Sequence, residues 1–247
     1  MKKIAVLSDI HGNILALEEV VNDIRLREVD LVFNLGDHVS GPLWPKETID
    51  YLKQQDWTQI LGNHDRQLIS PNQQDPGPSD LYASEVLNDE DLNWLRTLPS
   101  KAEVQNGILL FHGSPEDDLL YLLETVENGR ARLASCSEIN ERLGTEKSPL
   151  ILCGHTHIPR AVEMPGGQLI INPGSVGLPA YDNEYPEPHV MENGSPHARY
   201  AIAEEKGNGW IVELIAIPYD HEKASEQARK NGQMDWEMWL QTGYVKM

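Results

Sequence analysis

Cysteine is nearly missing from this chain of 247 residues, which holds only Cys136 and Cys153. Two cysteines cannot make a disulfide framework, and these two lack the close spacing of a thiolate zinc site. Cys153 is expected as a small buried core residue; Cys136 carries no assignment. Positive charge is scarce as well. Twenty Lys and Arg stand against 39 Asp and Glu, a formal charge of −19 with a pI near 4.7, which argues against general attraction to nucleic-acid backbones or anionic membranes. An anionic substrate would need local positive charge, and a metal cluster is one way to supply it. No apolar run approaches the roughly 20 residues of a membrane-spanning helix. The stretch after Met1-Lys2-Lys3 reaches Ser8-Asp9 too soon for a signal-peptide core. With 40% hydrophobic and 24% charged residues, the expectation is a soluble globular protein of the cytoplasm with no membrane partner.

What the chain does have is a series of apolar runs that end on Asp, His or Asn. Residues 4–7 have the β-prone character and length of a buried central strand, ending at Ser8-Asp9-Ile10-His11-Gly12-Asn13. Ile14, Leu17, Val20, Val21 and Ile24 then recur at helical spacing, with Asn13 as the N-cap. Residues 31–35 are a second strand stopping at Gly36-Asp37. After a helix opened by Pro45 and running to about 55, residues 57–61 are a third strand that ends at Gly62-Asn63-His64-Asp65. In open α/β sheets, loops at the carboxyl ends of strands are where ligands bind.

Residues 70–80, rich in proline, predict a surface excursion, and residues 89–98 a helix with Trp94, Leu95 and Leu98 inward. Hairpins are predicted over 102–111 around Asn106-Gly107, over 160–171 around Pro165-Gly166-Gly167, and over 200–217 around Gly207-Asn208-Gly209. Residues 116–147 read as helical, with Leu119, Leu120, Leu122, Leu123 and Val126 packed. Segments 70–98 and 116–147 would then form lid-like flanks, and 181–196 a polar lip. Residues 150–153 are a strand leading into Gly154-His155-Thr156-His157, and a surface helix runs from the N-cap Asp220 to about 230. One domain over 1–247 is the economical organisation.

Five of the nine histidines, His11, His64, His112, His155 and His157, lie on or beside loops after predicted strands, as do Asp9, Asp37 and Asn63. Singly, Asp9 and Asp37 read equally well as turn or capping residues, Asn63 as a turn-former and His112 as a satisfied loop histidine. Random scatter rarely gathers so many ligand-type side chains at one sheet edge. Mixed nitrogen and oxygen donors suit Mn, Fe, Co, Ni or Zn, whereas Ca prefers an all-oxygen shell.

The order Asp9-x-His11, Gly36-Asp37, Gly62-Asn63-His64-Asp65, His112 and Gly154-His155-Thr156-His157 resembles the calcineurin-like metallophosphoesterase superfamily. Within it, the small bacterial and archaeal phosphodiesterase branch is the nearest in pattern, from residue 3 to about 218. The resemblance implies an α/β fold, a four-layer α/β/β/α sandwich with mixed sheets, holding two divalent ions. One would be bound by Asp9, His11, Asp37 and His157, the other by Asp37, Asn63, His112 and His155. Mn is the first candidate, with Fe, Ni, Co or Zn as alternatives. Asp37 would bridge the ions, an activated water would attack a phosphodiester or an activated phosphomonoester in line, and His64 would protonate the leaving oxygen or stabilise its charge. The partner is a small phosphoester.

Phosphoprotein phosphatases of that superfamily continue the second motif as GDxVDRG, with an Asp that orients the catalytic His and an Arg that grips phosphate. Here Ser40 and Gly41 stand in those places, which argues against a Ser/Thr protein phosphatase. A nucleotide or dinucleoside polyphosphate hydrolase is the second enzymatic reading, disfavoured by how few arginines (Arg66 and Arg160) fall near the loops. A catalytically silent protein-binding scaffold is the reading from another class. Asp65 either orients the His64 ring or caps the next segment; His38 has no ligand counterpart; His189, His197 and His221 are expected in solvent. An extended backbone would aim His155 and His157 at the cluster and turn Thr156 away.

Overall fold

The computed structural model describes residues 2–70, 77–104 and 107–246. The strands β1 (Lys3–Leu7), β2 (Leu31–Asn34) and β3 (Thr58–Gln59) alternate with α1 (Ile14–Leu26) and α2 (Pro45–Leu52), and the short helices α3 (Asn63–Ile69), α4 (Pro78–Val86) and α5 (Asp89–Leu95) follow. Next come β4 (Lys101–Val104), β5 (Ile108–Phe111), β6 (Glu124–Glu127), β7 (Arg130–Leu133), α6 (Cys136–Leu143), β8 (Leu150–Leu152), β9 (Arg160–Glu163) and β10 (Leu169–Asn172). The chain closes with β11 (Ala180–Asn183), β12 (His189–Glu192), β13 (Ala198–Lys206), β14 (Gly209–Ile217), α7 (His221–Lys230) and α8 (Met234–Thr242).

Two five-stranded sheets, ordered β14-β13-β1-β2-β3 and β4-β5-β8-β10-β9, pack on one another. The pairs β1·β2, β2·β3, β5·β8 and β8·β10 are parallel and the others antiparallel. Period-two alternation explains the layering. Ile4, Val6 and Phe33 meet Ile108, Leu110, Leu150 and Leu152 between the sheets. Ala5 and Leu7 turn the other way, onto Leu17, Val20 and Ile24 of α1. Leu109, Phe111, Ile151 and Cys153 do the same toward Ile139 and Leu143 of α6. Strands covered on both faces are apolar throughout, as the runs at 4–7 and 150–153 required. The result is the expected four-layer α/β/β/α sandwich. Asn13 caps α1 by accepting the Ala16 N–H at 3.2 Å, and Asp220 caps α7 through the Lys223 N–H at 3.1 Å.

Two expectations are corrected and one helix is added. Residues 116–147 are not a helical segment: β6 and β7 form a hairpin there and only α6 is helical. Asn128 and Gly129 both take left-handed φ values, 54° and 74°, as a two-residue turn between strands demands. The neighbouring leucines are too dense for one helical face; Leu122 and Leu123 are buried, while Leu119 and Leu120 are exposed. The polar stretch before Pro196 contains β11 and β12, which join that hairpin in a third sheet, ordered β11-β12-β7-β6. Helix α8, absent from the sequence reading, buries Trp236, Trp239 and Leu240. The Asn106 turn and residues 71–76 of the expected excursion lie outside the described residues. No helix among those described is long and apolar enough to cross a membrane.

Leu152 is fully buried between the sheets directly before the Gly154 to His157 loop. Leu152→Ala is expected to cost about 2–5 kcal/mol in chemical denaturation; a loss under about 1 kcal/mol would show that the interior repacks around the site.

Candidate metal centre

Each residue singled out in the sequence stands on a loop or helix start at the carboxyl end of a strand: Asp9 and His11 after β1, Asp37 after β2, Asn63 and His64 after β3, His112 after β5, His155 and His157 after β8. The loops bring them together as two buried groups, Asp9 with His11 and His157, and Asp37 with His112 and His155. Within each, the donor atoms lie within 4.8 Å of one another. Asp37 faces both: its Oδ2 is 3.1 Å from His112 Nε2 and 4.0 Å from His11 Nε2. Asn63 is buried beside them on the same cleft.

The backbone is strained to achieve this. Asp9, His11, Asp37, His155 and His157 hold φ of 56°, 52°, 55°, 69° and 59°, and they are five of the seven non-glycine residues with positive φ among those described. Such conformations persist only where the surroundings over-determine them. His155 and His157 therefore reach the centre from left-handed turns, not from the extended backbone expected. Thr156 does face away, accepting a hydrogen bond from Asn172 at 3.0 Å. The motif glycines are a matter of space: a Cβ on Gly62 would strike the Asp37 carboxylate, and one on Gly154 the Ser8 hydroxyl.

The donor set fits divalent ions. His11, His112 and His157 donate Nδ1–H to the carbonyls of Ser40, Leu35 and Leu178 at 2.7, 2.8 and 2.8 Å, so each turns Nε2 inward. His155 is reversed, with Nε2 on the Leu119 carbonyl at 3.1 Å, which leaves Nδ1 for the centre. The Nε2 atoms of His11 and His157 face each other at 3.2 Å, with Asp9 Oδ1 3.3 Å from the latter. Two imidazole nitrogens and a carboxylate oxygen thus converge on one point, an arrangement a cation relieves. Asn63 Oδ1 is buried without a hydrogen-bond partner.

Charge is distributed accordingly. Burial pushes His11 down to about 4 and, with His112 beside it, His155 down to about 3, so both rings are neutral at pH 7. Burial disfavours charge on Asp9, but His157 and His112 bring it to about 2. Burial likewise opposes ionisation of Asp37, which His112 and His64 hold well below the usual carboxylate range. Burial also works against protonated His112, yet Asp37 raises it to about 10.

His64 lies at the edge, half-buried on the cleft, and its Nδ1 is 2.9 Å from Asp80 Oδ1. Ser40 donates to that same carboxylate oxygen at 2.5 Å. The carboxylate missing from the Ser40 position is thus present, supplied from the first turn of α4. Asp80 is the residue the sequence reading missed, although Gly77-Pro78-Ser79-Asp80 has the letters of a helix start with Pro at its first position. Asp65 is a capping residue: it accepts the N–H groups of Gly62, Asp37 and His38 and pairs with the His38 ring at 2.7 Å. His189, expected in solvent, is buried against Tyr121, because its Nε2 lies 3.1 Å from the tyrosine hydroxyl. Arg66 pairs with Asp118 and Arg160 with Glu124.

A family model described as the calcineurin-like phosphoesterase superfamily domain matches residues 1–191. The chain belongs to the calcineurin-like phosphoesterase superfamily. An uncharacterised protein of Methanocaldococcus jannaschii is 28% identical over 257 residues, covering 94% of each chain. A metallophosphoesterase from Sphaerobacter thermophilus superposes with a TM-score of 0.75 at 24% identity, covering 98% of this chain and 99% of its own. A hypothetical protein from Pyrococcus horikoshii OT3 has the same TM-score at 20% identity and covers 99% of each. The solved structures are similar in fold, and membership in this superfamily makes the chain a phosphoester hydrolase by class.

If His112 ligates, metal uptake should release a proton, because that ring is protonated in the metal-free protein and would have to lose the proton to bind an ion. Affinity for Mn is expected to rise about tenfold per pH unit between pH 6 and 8, below the His112 value of about 10. Calorimetry in buffers of different ionisation enthalpy measures the release; no proton release would contradict the assignment.

Proposed function

We propose that this chain is a dinuclear-metal phosphodiesterase, also able to act on activated phosphomonoesters. The observation that carries this is the pair of buried donor groups facing one carboxylate, Asp37, with His64 beside them on an open cleft of about 930 Å³. Asp9, His11, Asp37 and His157 would hold one ion, and Asp37, Asn63, His112 and His155 the other. Bound divalent ions, Mn first among them, supply a water of lowered pKa and neutralise phosphoryl oxygens. The chain's own groups do the rest. Asp37 fixes the spacing of the two donor groups while its Oδ1 accepts the His64 N–H at 2.9 Å, so the ligand positions the catalytic ring's backbone. Burial opposes the charged form of His64, but Asp37 and Asp80 raise it to about 9. In the metal-free protein the ring therefore carries a proton at pH 7, and Nε2 is the nitrogen left to give one to a leaving oxygen. Asp80 holds Nδ1 and so sets which nitrogen faces the substrate.

A scaffold role has no need of a protonated histidine gripped by a carboxylate. Polyphosphate hydrolysis is disfavoured by charge. Arg142 is the one Lys or Arg among the described residues lining the cleft, and it is committed to the carbonyls of Leu122 and Glu124 and to the Thr125 hydroxyl. Asp117 and Asp182 line the same cleft. A second phosphate brought to about 4 Å from either would meet repulsion on the order of 4 kcal/mol. The reading is of a single catalytic domain acting in the cytoplasm on a small phosphoester.

Hydrolysis of bis-p-nitrophenyl phosphate after addition of Mn, Ni or Zn tests the reading. Asp37→Asn and His112→Ala should lose metal and turnover together, whereas His64→Ala should keep metal and lose about 10²–10⁴-fold in kcat. Equal metal loss in His64→Ala overturns the role given to it. Asp80→Asn should retain metal, and the His64 ring, which Asp37 and Asp80 push up to about 9 in the metal-free protein, should shift down in a proton NMR titration. An unmoved titration would dismiss Asp80 as its partner.

A further inference from the structure

The cleft is built for more than phosphate. Five of its lining residues are Trp or Tyr, in a chain only 6% aromatic, and they form two walls on either side of the donor groups. On one side the Trp236 ring stands edge-on to His11 at 5.9 Å, with Trp239 beyond it at 6.3 Å. Tyr181 and Tyr121 form the other side, against His157 at 4.7 Å and His155 at 5.0 Å. The His11 and His157 rings between the walls are 5.0 Å apart.

The tyrosine wall is held in place before any ligand arrives. Buried His189 commits its Nδ1–H to the Glu187 carbonyl, so its Nε2 accepts from the Tyr121 hydroxyl at 3.1 Å. The Tyr181 hydroxyl reaches Tyr121 and the His155 carbonyl at 3.1 and 3.2 Å. Fixed rings lose little freedom on binding. Tyr185, 74% exposed, stands at the mouth. Apart from the centre itself, the cleft is lined by these rings, Tyr185 exposed and Trp236, Trp239 and Tyr121 largely buried, and by acidic side chains, with no uncommitted Lys or Arg among its described lining residues.

We propose that these walls are a subsite for a planar, uncharged ring on the ester group of the substrate. The substrate class is then a phosphoester with one phosphate and a nucleoside-type or aryl group, in preference to alkyl esters or polyphosphates. The proposal deepens the phosphodiesterase reading and rests on it for the position of the phosphate. Stacking on aromatic faces tolerates many rings, because every base has a π-face, so the walls specify the shape of the ring and not its identity.

Two phosphonates that cannot be hydrolysed and differ only in the ring, a phosphonobutyl adenine and butylphosphonate, test this by calorimetry on the Mn-supplemented protein. The ring-bearing compound should bind at least about tenfold more tightly. Tyr185→Ala, on an exposed side chain whose loss does not threaten folding, should reduce that ratio, and Trp236→Leu should reduce it further. Equal affinities of the two phosphonates for the wild type, or a ratio unchanged in both variants, would overturn the subsite. The same preparations are assayed with bis-p-nitrophenyl phosphate. Turnover with equal phosphonate affinities removes the subsite and leaves the phosphodiesterase reading; a ring preference without metal-dependent turnover removes that reading and keeps the subsite.

Discussion

One buried carboxylate ties the centre together. Asp65 accepts the Asp37 N–H at 2.8 Å, the His38 N–H at 3.0 Å and the Gly62 N–H at 2.9 Å, and grips the His38 ring at 2.7 Å. The loops after β2 and β3 are thereby locked to each other, and Asp37 is held in its left-handed conformation with Gly36 and Gly62 pressed together beneath it. Hydrogen bonds to an ionised acceptor in a low-dielectric interior are strong. That lock fixes the loop of Asp37, and the His64 N–H on Oδ1 at 2.9 Å fixes the carboxylate that faces both donor groups.

The two-sheet sandwich makes this arrangement affordable in stability. Its interior is filled by alternating apolar residues from both sheets, and strain at five loop positions is borne by a rigid platform. The centre itself concentrates opposite charges and converging lone pairs. Asp9 and Asp37 stay ionised because protonated rings stand beside them, and His11 and His155 stay neutral because burial forbids their charge. Divalent ions would replace the protons that now balance those carboxylates.

Much of this was legible in the sequence where function and strand end coincide. Apolar runs that stop on Asp9, Asp37, Asn63, His112 and Gly154 located the ligand-type residues and the sandwich together, since strands covered on both faces leave only their ends for polar chemistry. The β6–β7 hairpin is masked in the sequence by the leucine-rich run from Leu119 to Leu123, beside which the Asn128-Gly129 turn is a weaker signal. Asp80 was not legible as the partner of His64, because an acidic residue in a first helical turn is ordinary; only the packing of α4 brings it to Ser40 and His64. Trp236 and Trp239 look like core residues of a terminal helix, and nothing in their spacing announces a wall of the cleft. His189 shows the same limit: its burial depends on Tyr121, 68 residues away.

Anomalous diffraction from a crystal loaded with Mn tests the central claim most directly. Two peaks per chain are predicted, one among Asp9, His11 and His157 and the other among Asn63, His112 and His155, with the Asp37 carboxylate between them and His64 bound to neither. A single peak, or a peak ligated by His64, would contradict the account.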